Sequence, residues 1–176
     1  MKKTKIIVAV LLLILCLTFA ACGPKDYVLN EQTFFLVMTN IQARPQQYVD
    51  GTLEFDCFTY RLVDVVEEKT YICGVRKCSV GYGCNCGNDT IIGFVLIYDG
   101  ELPEPSARQS EDTNEQTWVH LKGRLKSADK LTVTVNSYVN GELDPNNTER
   151  IQLLEFVVES CELIEDYSNL NYYVTK

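Results

Sequence analysis

Residues 52–66 read Thr-Leu-Glu-Phe-Asp-Cys-Phe-Thr-Tyr-Arg-Leu-Val-Asp-Val-Val, and this stretch decides the fold. It is long for a strand and rich in β-branched and aromatic side chains, the residue types that favour extended chain. Residues 67–69, Glu-Glu-Lys, form a polar turn, and residues 70–77 resume a strand-like pattern. Two such runs joined by a short polar turn predict a β-hairpin.

Strand-like segments also dominate the chain after this hairpin. Before it lies one predicted helix, because Asn30 is a suitable N-cap and apolar residues recur at helical spacing until Arg44-Pro45 ends the pattern. One helix followed by five or six strands predicts a mainly β domain, a small OB-like barrel. A β-sandwich is the alternative. The later predicted strands are residues 91–98, 118–125, 130–139 and 151–164.

The first 22 residues have the features of an export signal. Three lysines precede an apolar run from Ile6 to Phe19, which has about the length of a signal core. The ending Phe19-Ala20-Ala21-Cys22 resembles the lipobox of bacterial lipoproteins, in which the cysteine is diacylated and the chain is cut before it. The resemblance implies that Cys22 is lipidated and that two acyl chains hold the protein at the outer face of the cell membrane. The alternatives are a cleaved secretory signal and a retained membrane anchor.

The remaining segments set the predicted domain boundaries. Residues 99–116 are acidic and polar and contain two prolines, which predicts a solvated loop, and residues 141–147 predict a turn. The mature chain is long enough for one domain with its own core. We expect a signal peptide at 1–21, a lipid-anchored linker at 22–29, an OB-like barrel domain at 30–166 and a C-terminal tail at 167–176.

The charge of the mature chain disfavours some classes of partner. The full chain has 16 basic and 24 acidic residues and a net charge of −8. Lys2, Lys3 and Lys5 leave with the signal, so 13 basic residues remain against 24 acidic ones and the net charge becomes −11. A surface this acidic argues against nucleic acid and against anionic lipid headgroups.

The most distinctive chemistry lies in residues 76–94, Arg-Lys-Cys-Ser-Val-Gly-Tyr-Gly-Cys-Asn-Cys-Gly-Asn-Asp-Thr-Ile-Ile-Gly-Phe. The glycines let such a loop bend sharply and bring sulfur atoms near one another. Three hypotheses stay open: a disulfide staple, a metal site and a redox-active thiol pair. The metal hypothesis places zinc or copper(I), which soft thiolates suit, on Cys78, Cys84, Cys86 and Asp89.

The disulfide or redox hypothesis rests on the count of cysteines. After acylation of Cys22 and loss of Cys16, six cysteines remain, and an even number outside the cytoplasm is typical of a disulfide framework. Cysteines in the predicted strands, at 57, 73 and 161, pair across the barrel or serve as small buried apolar residues. The disulfide or redox set is Cys73, Cys78, Cys84 and Cys86.

Signals for catalysis are weak, and the sequence favours a non-enzymatic protein. His120 is the only histidine and lies on the polar face of a predicted strand, so a solvated side chain is expected and a Ser-His-Asp arrangement is poorly supported. The glycines at 81–87 are not followed by the Gly-Lys-Ser/Thr of a phosphate loop.

Several short segments carry a family resemblance: Arg44-Pro45 with Tyr48 and Gly51, Phe58-Thr59-Tyr60-Arg61, Arg76, residues 84–89 with Gly93-Phe94, and Trp118-Val119 with Gly123-Arg124-Leu125. Together they resemble the OB-like C-terminal domain of a YcgQ-type envelope family of unknown function, whose members are often associated with predicted permeases. The resemblance covers roughly residues 31–166 and implies the fold, an envelope location and a permease as partner. This chain departs from the family pattern, because Asn85 separates cysteines that are more often adjacent.

Three functions follow as hypotheses. The first is a membrane-anchored extracytoplasmic lipoprotein that acts as a binding or accessory module, for a permease or a metal ion, through its Cys-rich loop. The second is a thiol–disulfide redox protein that uses Cys84 and Cys86. The third is a structural module with a disulfide-stapled loop.

Overall fold

A computed structural model describes residues 25–79, 89–139 and 142–175 of the chain. Seven strands and one α-helix make up most of this part, so the mainly β class is confirmed. The elements, in chain order, are β1 (Asp26–Leu29), α1 (Glu31–Ala43), a 3-10 turn (Pro45–Gln47), β2 (Thr52–Asp64), β3 (Lys69–Ser79), β4 (Asp89–Ile97), β5 (Trp118–Val139), β6 (Glu142–Leu163) and β7 (Tyr173–Thr175).

The helix α1 begins and ends where the sequence predicts. The Asn30 side chain accepts hydrogen bonds of 3.0 Å from the backbone N–H groups of Gln32 and Thr33, and the Thr33 hydroxyl accepts one of 3.0 Å from the Asn30 N–H. This reciprocal cap satisfies donors that the first turn leaves unpaired. The apolar stripe of α1 then packs into the core through Phe34, Met38 and Ile41.

The five long strands form a closed ring of pairings. The predicted hairpin is confirmed, because β2 pairs with β3 in antiparallel register from Phe58 opposite Val75 to Asp64 opposite Lys69. β3 continues to β4, β4 to β6, β6 to β5, and β5 returns to β2. Only the pairing of β4 with β6 is parallel within this ring. β1 adds to β2 and β7 adds to β3, both in parallel.

The two faces of the strands contribute to two separate apolar clusters. Alternate residues of β2, Leu53, Phe55 and Cys57, lie in a first core together with α1. Side chains of the opposite parity, such as Phe58 of β2 and Val75 of β3, lie in a second cluster with Trp118. The loop and the C-terminal segment that flank the strands cover this second cluster.

Strands β5 and β6 differ from the sequence prediction. β5 is continuous where two strands were predicted, with a register shift between Leu125 and Lys130. β6 begins at Glu142, so the turn predicted at 141–147 is wrong for its described part. Pairing jumps from Asn136 opposite Thr148 to Ser137 opposite Asp144, so residues 145–147 form a bulge that accommodates Pro145.

Two short strands lie outside the predicted barrel domain. β1 occupies the second half of the predicted linker, and β7 occupies the predicted C-terminal tail. Both pair in parallel with strands that are distant in sequence, so no local alternation of apolar and polar residues predicts them.

Candidate functional site

Cys78 lies at the base of the Cys-rich loop but points into the protein core. Its side chain is fully buried among the apolar residues of the first core, and its backbone pairs with Thr90 and Val174. Burial raises the pKa of the Cys78 thiol to about 11, although Arg76 opposes the rise. Asp89 begins β4 opposite Ser79, and the other predicted ligands, Cys84 and Cys86, lie outside the described residues.

Cys73 lies on the opposite face of β3 from Cys78. It is 3 % exposed and belongs to the second cluster, whereas Cys78 belongs to the first core. Five positions separate them, and an odd separation places two residues of a strand on opposite faces. These two cysteines therefore do not share one site. Burial raises the pKa of Cys73 to about 12.

The thiols that the structure describes are free and suited to packing. Cys57 is fully buried and Cys161 is half-buried, and desolvation raises the pKa of both thiols. A protonated thiol is a poor nucleophile and a poor metal ligand. Of the two alternatives for these strand cysteines, the structure shows unpaired side chains within the apolar clusters.

A cleft of about 920 Å³ lies beside the second cluster, and sequence reasoning did not find it. Its lining comes from all five long strands and from the loop between β4 and β5. Because the lining residues are distant in sequence, no local pattern marks the site. The apolar lining includes Leu62, Val63, Val75, Ile91, Val135, Ile151 and Leu153, with Tyr60 and Cys73.

One wall of the cleft is the segment 105–110, which Gln109 fixes to β2. Its side-chain oxygen accepts a hydrogen bond of 2.8 Å from the Arg61 N–H, and its amide nitrogen donates one of 3.0 Å to the Arg61 carbonyl. The pair of bonds imitates strand pairing along this edge of β2. The Arg61 guanidinium forms an exposed ion pair with Glu104 in the same loop.

The opposite wall is the outer half of the β5–β6 hairpin, residues 130–139 and 142–153, which we call the β-arm. Asp64 connects it to the end of β2, accepting hydrogen bonds from Val66, Glu67 and Thr134 at 2.9, 3.0 and 3.3 Å. The Val65 N–H also donates to the Thr134 carbonyl at 2.9 Å. These donors, that of Glu67 foremost, hold the pKa of Asp64 below its usual value.

Hydroxyl and amide side chains such as those of Thr90, Ser106 and Asn136 also line the cleft, whereas charged groups are few. Among the described residues that line it, Arg61 is the only base and Glu149 the only acid. Glu149 pairs with Val135 on the β-arm, next to the Thr134–Val65 contact. Arg61 lies on β2, four residues before Val65 in the chain.

Arg76, one of the residues that carry the family resemblance, has a structural role in this protein. Its guanidinium is 1 % exposed and lies 4.8 Å from the Trp118 ring and 5.6 Å from the Phe34 ring. It donates to the carbonyls of Asp56 and Asn171 and pairs with Glu31 at 3.2 Å. It stands immediately after Val75, the last β3 residue paired with β2. Arg76 therefore fills the gap where these two strands part.

His120 is not simply solvated, as the sequence suggested, but lies between two carboxylates. Its Nδ1 is 2.7 Å from Asp56 Oδ1 and its Nε2 is 3.3 Å from Glu54 Oε1. Burial alone would lower the pKa of His120, but the two carboxylates outweigh it and raise the pKa. Lys122 also contacts Glu54, at 3.7 Å, so the group is a cross-strand charge ladder on an outer face of the sheet.

Neither this ladder nor any other group in residues 25–79, 89–139 and 142–175 brings together three His, Cys, Asp or Glu side chains able to hold a metal ion. Within the same residues, no helix is both long and apolar enough to cross a membrane. The chain matches no protein-family model, no curated protein and no solved structure. The similarity to the YcgQ-type family therefore stays a prediction, and the geometry of the cleft carries the functional argument.

Proposed function

We propose that this protein is a non-enzymatic binding module, held outside the cell membrane by lipid at Cys22, and that its cleft binds a small apolar ligand. The observation that carries the proposal is the cleft itself. Its volume of about 920 Å³ falls in the range of pockets that bury drug-sized molecules, and such pockets are mainly apolar with a few polar groups.

Exposed apolar side chains at the cleft support this proposal. Val63 is 47 % exposed and Ile91 is 44 % exposed, and both line the cleft. Large exposed apolar side chains that gather at one concave site mark a binding surface more often than isolated ones do. A ligand that covers them removes apolar area from water, which stabilises the complex by about 25 cal/mol per Å².

The redox and metal hypotheses keep only part of their support. Cys73 and Cys78 occupy opposite faces of β3 and have raised pKa values, so neither supplies a ready thiolate. Cys84 and Cys86 remain the candidates for a thiol pair or a soft-metal site, with zinc or copper(I) as the ion. Metal content and a thiol count on anaerobically purified protein test this second function. A permease as partner likewise stays a prediction of the family resemblance.

The experiment that tests the binding function compares two substitutions on the same strand. Ile151→Glu places a carboxylate in the cleft, whereas Leu163→Glu places one at a position of β6 that is 55 % exposed and outside the lining. We expect a fluorescent apolar probe to bind the wild type and Leu163→Glu alike and to bind Ile151→Glu at least about tenfold more weakly. Thermal unfolding checks that both variants are folded. Equal binding by folded variants would contradict the proposal.

Lipid attachment is tested independently of the cleft. Cys22→Ser removes the acylated side chain, and we expect the variant to lose acyl mass and to leave the membrane fraction. Retention of the variant in membranes would favour an uncleaved apolar anchor instead.

A further inference from the structure

We infer that the cleft takes an amphiphile with one hydrocarbon chain and an anionic headgroup, the chain lying along the apolar lining and the headgroup on Arg61. The inference rests on the proposed binding function and gives its ligand a chemical class.

The apolar lining is suited to a hydrocarbon chain. Val63 lies on the same face of β2 as Arg61, and Ile151 and Leu153 come from the β-arm. Aliphatic side chains of this kind offer no hydrogen bonds, so they favour a chain over a polar molecule such as a sugar or nucleotide. The size of the cleft suits a single chain, since a two-chain phospholipid is much larger than a drug-sized ligand.

Arg61 supplies a positive charge at the cleft, and this local charge acts at contact distance, whereas repulsion by the net negative charge of the domain is screened by salt. It is the only base among the described lining residues, and its side chain is 48 % exposed. Its partner Glu104 is 80 % exposed, and an exposed ion pair of this kind is worth at most about 1 kcal/mol. A carboxylate headgroup can therefore replace Glu104 at little cost, and the planar guanidinium binds a carboxylate through two hydrogen bonds.

The position of Glu149 sets the orientation of the ligand in the cleft. Glu149 lies on the β-arm beside the Val65–Thr134 contact, at a distance along β2 from Arg61. It repels an anionic headgroup at that end, so the headgroup is directed to the wall formed by residues 105–110.

The anchor brings such molecules within reach. β1 begins at Asp26, so three residues separate it from Cys22 and span at most about 14 Å including the bond to the anchor residue. A domain held this close to a membrane meets single-chain amphiphiles at the lipid surface. We commit to a long-chain fatty acid as the occupant.

The test uses a polyene fatty acid, whose fluorescence rises in apolar surroundings, and its methyl ester. We expect the wild type to bind the acid about threefold to fivefold more tightly than the neutral ester, because the ester lacks the ion pair with Arg61. Arg61→Gln is expected to abolish this preference by weakening the acid alone. Arg108→Gln is the matched control. Arg108 lies in the loop that carries Glu104, pairs with Glu115 and does not line the cleft, so the preference for the acid should persist.

The outcomes separate the two proposals. Equal binding of acid and ester by the wild type, or an unchanged preference in Arg61→Gln, overturns the anionic headgroup and leaves the apolar binding function standing. Tighter binding of a two-chain phospholipid than of the acid overturns the single-chain assignment. If neither probe binds and Ile151→Glu behaves as the wild type does, the binding function fails as well.

Discussion

Arg76 is a buried charge whose value to the protein is structural. Its guanidinium is enclosed between two aromatic rings and bonded to two backbone carbonyls and to Glu31. Removing the guanidinium leaves the carbonyls of Asp56 and Asn171 without this donor, so Arg76→Met is expected to lower the free energy of unfolding by about 1–3 kcal/mol. Urea denaturation measures this difference. In the control Arg124→Met, an exposed pair with Glu159 at 3.9 Å is lost, and the expected change is below about 0.5 kcal/mol.

Arg76 is one of the residues that carry the family resemblance. Its structural role, which is to fill the gap where β2 and β3 part, follows from the strand register. If Arg76→Met proved as stable as Arg124→Met, the claim that the guanidinium replaces strand pairing between β2 and β3 would be wrong. Glu31 belongs to the same group, because hydrogen bonds from Asn171 and Arg76 outweigh its burial and lower its pKa. Its contribution to stability is full above pH 4.5 and is lost as the pH falls through the lowered pKa.

His120 makes stability depend on pH in the opposite sense. Its pKa in the folded protein is raised above 6.5 by Asp56 and Glu54, against the effect of burial. The stabilisation is therefore fully present below 6.5 and is lost as the pH rises through the folded-state pKa. We expect His120→Gln to cost at most about 1 kcal/mol at pH below 6, since the site is partly exposed, and close to nothing at pH about 9. A cost that did not change with pH would contradict the assignment; an NMR titration of the His120 ring gives the pKa directly.

The buried thiols predict a pattern of chemical labelling. Cys57, Cys73 and Cys78 are each at most 3 % exposed and have raised pKa values. A thiol reagent needs access to the thiolate, so these three are expected to react only after unfolding. Cys161 is half-buried and should react at an intermediate rate. Mass spectrometry of labelled peptides, with and without urea, resolves each site; rapid labelling of Cys78 in the folded protein would revive its role as a ligand.

At the scale of elements, the β-arm depends on Asp64 for its contact with β2. We expect Asp64→Ala to speed hydrogen exchange at the amides of Val66, Glu67 and Thr134, because all three donate to this carboxylate. Acid should act in the same direction: the pKa of Asp64 is below 3.8, so its contribution is full above that pH and is lost as the pH falls further.

The matched control for the β-arm is Asp166→Ala. Asp166 accepts a hydrogen bond of 3.1 Å from the Ser168 N–H in a turn outside the arm. This variant is expected to leave exchange at Thr134 unchanged. If Asp64→Ala also left it unchanged, the arm would be held by the Val65–Thr134 contact and by side-chain packing alone.

Elements with a strong local signal were predictable, and those defined by distant partners were not. The cap at Asn30 and the β-branched and aromatic residues of 52–66 placed α1 and β2 close to their observed bounds. Residues 145–147 carry turn residues, yet cross-strand pairing on both sides absorbs them as a bulge. β7 has three residues and is defined by its register with Lys77, Cys78 and Ser79. No sequence window contains that information.

The site shows the same division at the scale of the whole molecule. Sequence reasoning found the cysteines but ended the predicted strand at Lys77, so it did not place Cys78 on the face opposite to Cys73; in the structure β3 continues to Ser79. The cleft joins residues as distant as Leu62 and Ile151, and its apolar side chains look like ordinary strand residues in sequence. Closure of the pairing ring, from β2 through β5 and β6 to β4 and β3, is what brings them together.

The charge of the whole molecule gives a last prediction, about how it meets a membrane. Residues 22–176 carry 13 basic and 24 acidic side chains, so this part of the chain is repelled by anionic headgroups. We therefore expect residues 25–176, prepared without acylated Cys22, to stay in the supernatant when anionic vesicles are sedimented at low salt, while the acylated protein sediments with them. Since screening weakens electrostatic attraction, binding of the unacylated domain that disappeared in high salt would reveal a basic surface patch and refute attachment by the lipid alone. Binding that persisted in high salt would instead point to an apolar contact with the bilayer through the domain itself.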